Sequence, residues 1–140
     1  YSIRMNIEAV KPKIAELAKK YDLTLVVLFG SQVTGKTHKE SDVDVAYLSE
    51  RKLSFSEEAF LNTDLMEVFR NDAVSLVNLK TASPLLQKQV VTNAVVMYEK
   101  TTHLFIEAFL YALRVYEEAQ PLFDLREHYL QNKISEYKHA

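Results

Sequence analysis

The sequence predicts an α/β (α+β) fold in which helices flank one mixed β-sheet. Two apolar runs, at residues 24–29 and 43–48, lie close together in the chain and are predicted to be neighbouring strands. Two further apolar runs, at 73–79 and 95–98, follow at intervals that leave room for helices. The segments around these runs repeat apolar residues at helical spacing. Strands and helices that alternate in this way are typical of a mixed sheet with helical layers.

The first half of the chain gives a helix and then two strands. Helical spacing from residue 7 predicts a helix that ends near Asp22, with one apolar face: Ile7, Val10, Ile14, Leu17, Ala18 and Tyr21. The run 24–29 is continuous and partly β-branched, as expected of a strand that is covered on both faces. Residues 30–41 are predicted to form a loop, and 43–48 the second strand.

Capping signals place the next two helices. Ser54 with Glu57 three residues later resembles a capping box, and an amphipathic helix is expected to follow it. Residues 73–79 are predicted to be the third strand. Ser83 followed by Pro84 is a favourable start for another helix, and 95–98 is a candidate fourth strand.

After residue 101 the chain is predicted to be helical. A wide apolar stripe runs from Leu104 to Ala119, Pro121 is expected to interrupt it, and a last helix is expected to contain Tyr129 and Tyr137. Residues 1–100 are therefore predicted to form a core, and residues 101–140 a helical C-terminal extension packed on the same domain.

Composition narrows the class of protein. A chain of 140 residues is expected to form one domain with a substantial core. The net charge of −2 argues against a broad nucleic-acid interface, which normally carries a basic excess. No cysteine is present, so thiolate metal sites are excluded. No apolar run approaches the roughly 18 residues of a membrane span, and no secretion signal is visible, so we expect a cytoplasmic protein.

The loop between the first two strands holds the candidate site. Both glycines of the chain, Gly30 and Gly35, lie in it, and glycine serves where backbone takes unusual dihedrals or approaches a ligand closely. Gly30-Ser31 directly follows a strand, so free N–H groups of a following helix would make an anion site there. Lys36 adds positive charge within the same loop.

Two acids start the second strand. Asp42 and Asp44 are two residues apart, so their side chains are expected to point to the same side of the sheet. Two converging carboxylates repel each other unless a cation lies between them, and oxygen-only ligands of this kind suit Mg²⁺. Together with the anion site, the pair predicts a site for magnesium and a nucleoside triphosphate.

Each half of this pattern alone has an ordinary explanation, because a Gly-Ser pair is usually a turn and Asp-x-Asp is usually a solvated strand end. The combination is much rarer. Chance matches to Gly-Ser, ten residues and Asp-x-Asp number on the order of a few per thousand in a chain of this length. The combination therefore favours a site.

Gly30-Ser31-x10-Asp42-x-Asp44 resembles the signature of the DNA polymerase β-like nucleotidyltransferase superfamily, and the short chain resembles its minimal nucleotidyltransferase (MNT) group. The resemblance implies the polymerase β-like fold, Mg²⁺ as cofactor, and transfer of a nucleoside monophosphate from a triphosphate such as ATP. It also implies that Gly30 and Ser31 hold the triphosphate while Asp42 and Asp44 bind metal. MNT proteins commonly act as antitoxins that transfer AMP to a tyrosine of a HEPN-type toxin, which is then the expected partner.

One position departs from the family pattern. The family usually carries a third acid on the next strand, and Ser75 occupies that position here. A serine hydroxyl is neutral and is no general base at ordinary pH, while loss of even an outer metal partner commonly lowers affinity or activity about 10–100-fold. Asp72 is expected to face the other side of the strand and not to replace the missing acid.

Three functions stay open at this point. The chain is an antitoxin that adenylylates a HEPN toxin at a reduced rate on two acids; or it is a weakened or inactive nucleotide-binding antitoxin that acts by complex formation; or it is a small-molecule nucleotidyltransferase. The last would be expected to carry a second, acidic domain for a polycationic substrate, and none is visible. An introduced change at Ser75 is compatible with any of the three.

Overall fold

The structure, a computed structural model, describes residues 6–30 and 42–139. Their helices and strands follow one another as α1 (Ile7–Tyr21), β1 (Leu23–Phe29), β2 (Val43–Ser49), α2 (Phe55–Phe69), β3 (Val74–Asn78), α3 (Pro84–Thr92), β4 (Val95–Glu99) and α4 (Leu104–His139). The predicted fold class is confirmed, since one mixed sheet is flanked by helices.

The four strands lie side by side in the order β3-β2-β1-β4. β1 is antiparallel to both of its neighbours, β2 and β4, whereas β2 and β3 are parallel. β3 and β4 are therefore the outer strands. β1 is antiparallel to β2, and β2 is parallel to β3. The C-terminal end of β1 and the N-terminal ends of β2 and β3 therefore lie at the same end of the sheet.

Helices cover both faces of this sheet, as the continuous apolar sequence of β1 predicts. On one face, Val26, Val45 and Tyr47 pack with buried residues of α1 and α2. On the other, Leu25, Val27, Ala46, Val90, Val91 and Ala112 pack together, the last three from α3 and α4. Side chains alternate along a strand, so Asp44 shares the second face with Ala46.

The predicted capping residues are confirmed at both helix starts. The Ser54 side chain accepts a hydrogen bond from the Glu57 backbone, and the Glu57 side chain accepts one from the Ser54 backbone, which is a complete capping box. The Ser83 side chain accepts from the Leu86 N–H at the start of α3. α1 ends at Tyr21, and Asp22 caps it in a left-handed backbone conformation, close to the predicted boundary.

The predicted interruption at Pro121 is wrong. α4 runs without a break from Leu104 to His139, with Pro121 inside it. A proline in a helix interior costs about 3 kcal/mol because it removes one backbone hydrogen bond and crowds the preceding turn, but this penalty is local. Tyr116 and Phe123 lie on either side of the proline with ring centroids 5.8 Å apart, and this contact joins the two segments.

The first part of α4 packs on the sheet and on α3 through Phe105, Phe109 and Ala112. Beyond Pro121 most of its large apolar side chains are exposed: Leu122, Leu125, Tyr129, Leu130, Ile134 and Tyr137. The division into a core of residues 1–100 and an extension of residues 101–140 stays a prediction. Among the helices of the described residues, none has the length and apolar character needed to cross a membrane.

Candidate active site

Four residues that the sequence assigns to the candidate site lie at the end of the sheet where β1 ends and β2 and β3 begin. Gly30 follows the last residue of β1, and Asp42 precedes the first residue of β2. Within the sheet, Asp44 is paired with Phe29 on one side and with Ser75 on the other. Strand pairing thus brings together positions that are up to 45 residues apart in the chain.

Gly30 and Asp44 are in close contact. Gly30 has a φ of +83°, which L side chains rarely adopt, and a Cβ built there would lie 2.1 Å from Asp44 Oδ2. Any other residue would be strained by its backbone and would also collide with the carboxylate. Glycine is therefore required here for a reason that the sequence did not show, since the Asp44 carboxylate lies against the Gly30 backbone.

The surroundings of Asp44 favour the protonated form of its carboxyl group. Burial raises the pKa of Asp44 above its ordinary value, and the negative charge of Asp42 raises it further. Both causes disfavour the ionised form, and a bound cation would reverse the second one. Two oxygen-donor side chains with this mutual repulsion fit a hard cation such as Mg²⁺, which binds one or two carboxylates and completes its shell with water and phosphate.

The predicted third position lies on the strand next to that of Asp44. Ser75 is the parallel-strand partner of Asp44, and it is exposed. Asp72 lies in the bend before β3 and is exposed, so it is not part of the strand that pairs with Asp44. In the described residues, no group of three or more histidines, cysteines or acids is placed to hold a metal ion.

The phosphate-binding part of the predicted site lies outside the described residues. Ser31 and Lys36 both fall in the segment 31–41. Their assignment to the triphosphate therefore stays a prediction.

Two relationships near the acids could not be predicted from the sequence. Contact between Gly30 and Asp44 depends on the pairing of Phe29 with Asp44, and strand register across a loop of this length leaves no local signal. A cavity between α2 and β3, lined by Phe55 and Leu76 among others, likewise has no signature in the sequence.

Comparisons with known proteins agree with this architecture. The sequence profile described as "Polymerase beta, Nucleotidyltransferase" matches residues 12–103. A curated relative from Shewanella oneidensis, protein adenylyltransferase MntA, is 40% identical over 71 residues. That match covers 51% of this chain and 50% of the relative, so the chain spans about half the length of the curated relative it matches.

Two solved structures extend the likeness to most of the chain. A chain in the crystal structure of a toxin–antitoxin complex with AMP-PNP has a TM-score of 0.69 at 30% identity, with 81% of this chain and 95% of that chain covered. A chain in the structure of a tri-AMPylated Shewanella oneidensis HEPN toxin with an MNT antitoxin has a TM-score of 0.65 at 27% identity, with 84% and 96% covered.

Proposed function

The chain belongs to the polymerase beta nucleotidyltransferase family, and we propose that it is an antitoxin that transfers AMP from ATP to a tyrosine of a partner HEPN toxin and thereby neutralises it. The observation that carries the proposal is the position of the Asp44 carboxylate. It lies against Gly30, the charge of Asp42 helps to raise its pKa, and Asp44 is paired with Ser75 of the neighbouring strand. The relatives whose names and structures include adenylyl transfer, a HEPN toxin and an ATP analogue support it. We expect the protein to act in the cytoplasm.

Each residue of the site has a distinct part in this proposal. Gly30 lets the backbone approach the triphosphate, and Ser31 and Lys36 bind its phosphate oxygens. Asp42 and Asp44 hold Mg²⁺. When bound, the ion neutralises the negative charge of the phosphates and of the two acids.

The proposed reaction is a displacement at the α-phosphorus of ATP. The tyrosine hydroxyl oxygen forms a bond to the α-phosphorus, and the bond from that phosphorus to the oxygen that bridges to the β-phosphate breaks. Pyrophosphate leaves with the electron pair of that bond. The phenolic proton passes to solvent, because position 75 offers a hydroxyl in place of a carboxylate base.

Ser75 also supports a second candidate function. Because a neutral side chain is paired with Asp44, the site would bind nucleotide with little turnover, and the protein would neutralise the toxin by forming a complex with it. This candidate predicts that toxin neutralisation does not depend on Asp42 and Asp44. A small-molecule nucleotidyltransferase has no such specific support in the structure.

Incubation of the protein with a HEPN toxin, magnesium and ATP labelled on the α-phosphate tests the proposal. The label is expected to appear on the toxin, and ATP labelled on the γ-phosphate is expected to leave the toxin unlabelled. The Asp42→Asn and Asp44→Asn double variant is the control for the site. Equal labelling by this variant and the wild type, or no labelling by either, would reject adenylyl transfer by this site.

A further inference from the structure

β3 is an outer strand whose free edge is open among the described residues. The Val43 N–H donates to the Ala73 carbonyl at 2.8 Å, and the Leu79 N–H donates to the Tyr47 carbonyl at 3.0 Å. Backbone groups of alternate residues point to opposite sides of a strand, so residues 73, 75, 77 and 79 bond to β2. The N–H and C=O groups of Val74 and Leu76 therefore point away from the sheet, as does the Asn78 carbonyl, which accepts a hydrogen bond from the Thr81 N–H at 3.2 Å.

This edge lacks the usual protection against pairing. Outer strands are commonly guarded by charged residues, proline or a bulge. β3 has the sequence Val-Ser-Leu-Val-Asn, with no charged residue and no proline, and its pairing with β2 is regular over all five residues. An extended segment of another chain can add to such an edge.

A cavity of about 220 Å³ adjoins the same strand. Its walls are Leu76 of β3 and one side of α2: Phe55, Glu58, Ala59 and Asn62. Phe55 is 88% exposed, and the Asn62 Oδ1 is buried without a hydrogen-bond partner among the described residues. Glu58 accepts a hydrogen bond from the Tyr47 hydroxyl and is the only charged residue among the five that line the cavity.

The chemistry of this cavity fits one kind of side chain. Its apolar walls match an aliphatic stem, while the Glu58 carboxylate and the unpaired Asn62 oxygen both accept hydrogen bonds. Lysine and arginine combine an apolar stem with a charged group that only donates. Charge complementarity therefore selects a basic residue.

The pairing of β2 with β3 determines where the cavity and the acids lie relative to a strand added to β3. Ser75 and Asp44 are paired and share one face of the sheet, whereas Leu76 faces α2 on the other. In a strand added to β3, the residue opposite Ser75 would lie about 10 Å from Asp44, two strand spacings away, on the face of the acids. Its sequence neighbour, opposite Leu76, would face the cavity.

We propose that the acceptor protein binds as an additional strand on the free edge of β3, with the acceptor tyrosine opposite Ser75 and an adjacent lysine or arginine in the cavity beside Leu76. The proposal rests on the proposed function, for which it supplies the acceptor site. Ser75 is exposed and has a small side chain, so among the described residues position 75 does not block the approach of a tyrosine to Asp44.

Amide hydrogen exchange resolved by residue, without nucleotide so that no transfer occurs, tests the docking directly. In the free protein the Leu76 amide is expected to exchange quickly and the Ser75 and Val77 amides slowly. Binding of a HEPN toxin is expected to slow Leu76 exchange at least tenfold. Unchanged Leu76 exchange in a complex verified by its size would overturn the docking, whatever the outcome of AMP transfer, and so would failure of the toxin to bind.

Filling the cavity gives an independent test. Ala59→Phe is expected to raise the KM for the toxin about tenfold with the KM for ATP unchanged, and Ala9→Phe, an equivalent change at an exposed position of α1, is expected to alter neither. Equal KM values for the toxin in the two variants would reject the cavity as part of the acceptor site. Concentration-dependent protection of Leu76 in the toxin-free protein would assign the edge to a second copy of the chain and also overturn the proposal.

Discussion

Asp44 and Ser75 are paired residues of the parallel strands β2 and β3, so the position next to the half-buried acid of the site holds a hydroxyl. The acid has a raised pKa because of burial and because of Asp42. A carboxylate at position 75 would share one face of the sheet with Asp44 and converge on the same space. We therefore expect the residue at position 75 to influence the rate of transfer.

Ser75→Asp is accordingly expected to raise the rate of AMP transfer to the toxin about 10–100-fold in the presence of magnesium, the size of effect usual for a restored metal partner. Rates measured with α-labelled ATP check this. Thr101→Asp, which adds the same charge at an exposed position just beyond the end of β4, is the matched control and is expected to leave the rate unchanged. A Ser75→Asp rate equal to that of the wild type would show that the third position is not limiting.

Gly30→Ala is expected to lower both stability and transfer. The left-handed backbone at Gly30 costs a residue with a side chain about 1–2 kcal/mol, and the contact with Asp44 Oδ2 adds strain. Chemical denaturation measures the change in the free energy of unfolding. In an Asp44→Ala background the same substitution should cost less, because the collision is removed while the backbone strain remains. Equal costs in both backgrounds would mean that the carboxylate moves aside freely.

Asp44 gives the protein a defined dependence of stability on pH. Its pKa is raised in the folded state, so the folded protein binds this proton more tightly than the unfolded chain does. The resulting stabilisation is complete below the ordinary value of 3.8 and is lost as the pH rises from there through the raised pKa. Asp44→Asn should therefore raise the Tm relative to wild type at pH 7 and not at pH 3. A wild-type advantage at pH 7 in metal-free buffer would contradict the sign of this effect.

Magnesium should act on the same group. Added Mg²⁺ is expected to raise the Tm of the wild type at pH 7, because the ion binds the folded pair of acids and offsets their repulsion. The Asp42→Asn and Asp44→Asn double variant should show no such increase. Calcium titrated in the same way separates a general charge effect from a preference for the smaller ion. An equal rise in the double variant would place the magnesium effect elsewhere.

The fold class could be predicted from the sequence because it depends on local signals, whereas Ser75 was assigned to the candidate site through the resemblance to the family pattern. Strands appear as short apolar runs, helix starts appear as Ser54 and Ser83, and the acids have a fixed spacing. The continuity of α4 through Pro121 was missed because local rules count the lost hydrogen bond and not the contact of Tyr116 with Phe123. Contact of Gly30 with Asp44 was missed because it arises from pairing between distant segments.

Mass spectrometry of a HEPN toxin incubated with this protein, ATP and magnesium tests whether Asp42 and Asp44 support transfer of AMP to a toxin tyrosine. We expect the mass of the toxin to increase by one or more adenylyl groups that are located on tyrosine. The increase should be absent with the Asp42→Asn and Asp44→Asn double variant. An unmodified toxin after incubation with the wild type, or the same modification with the double variant, would contradict it.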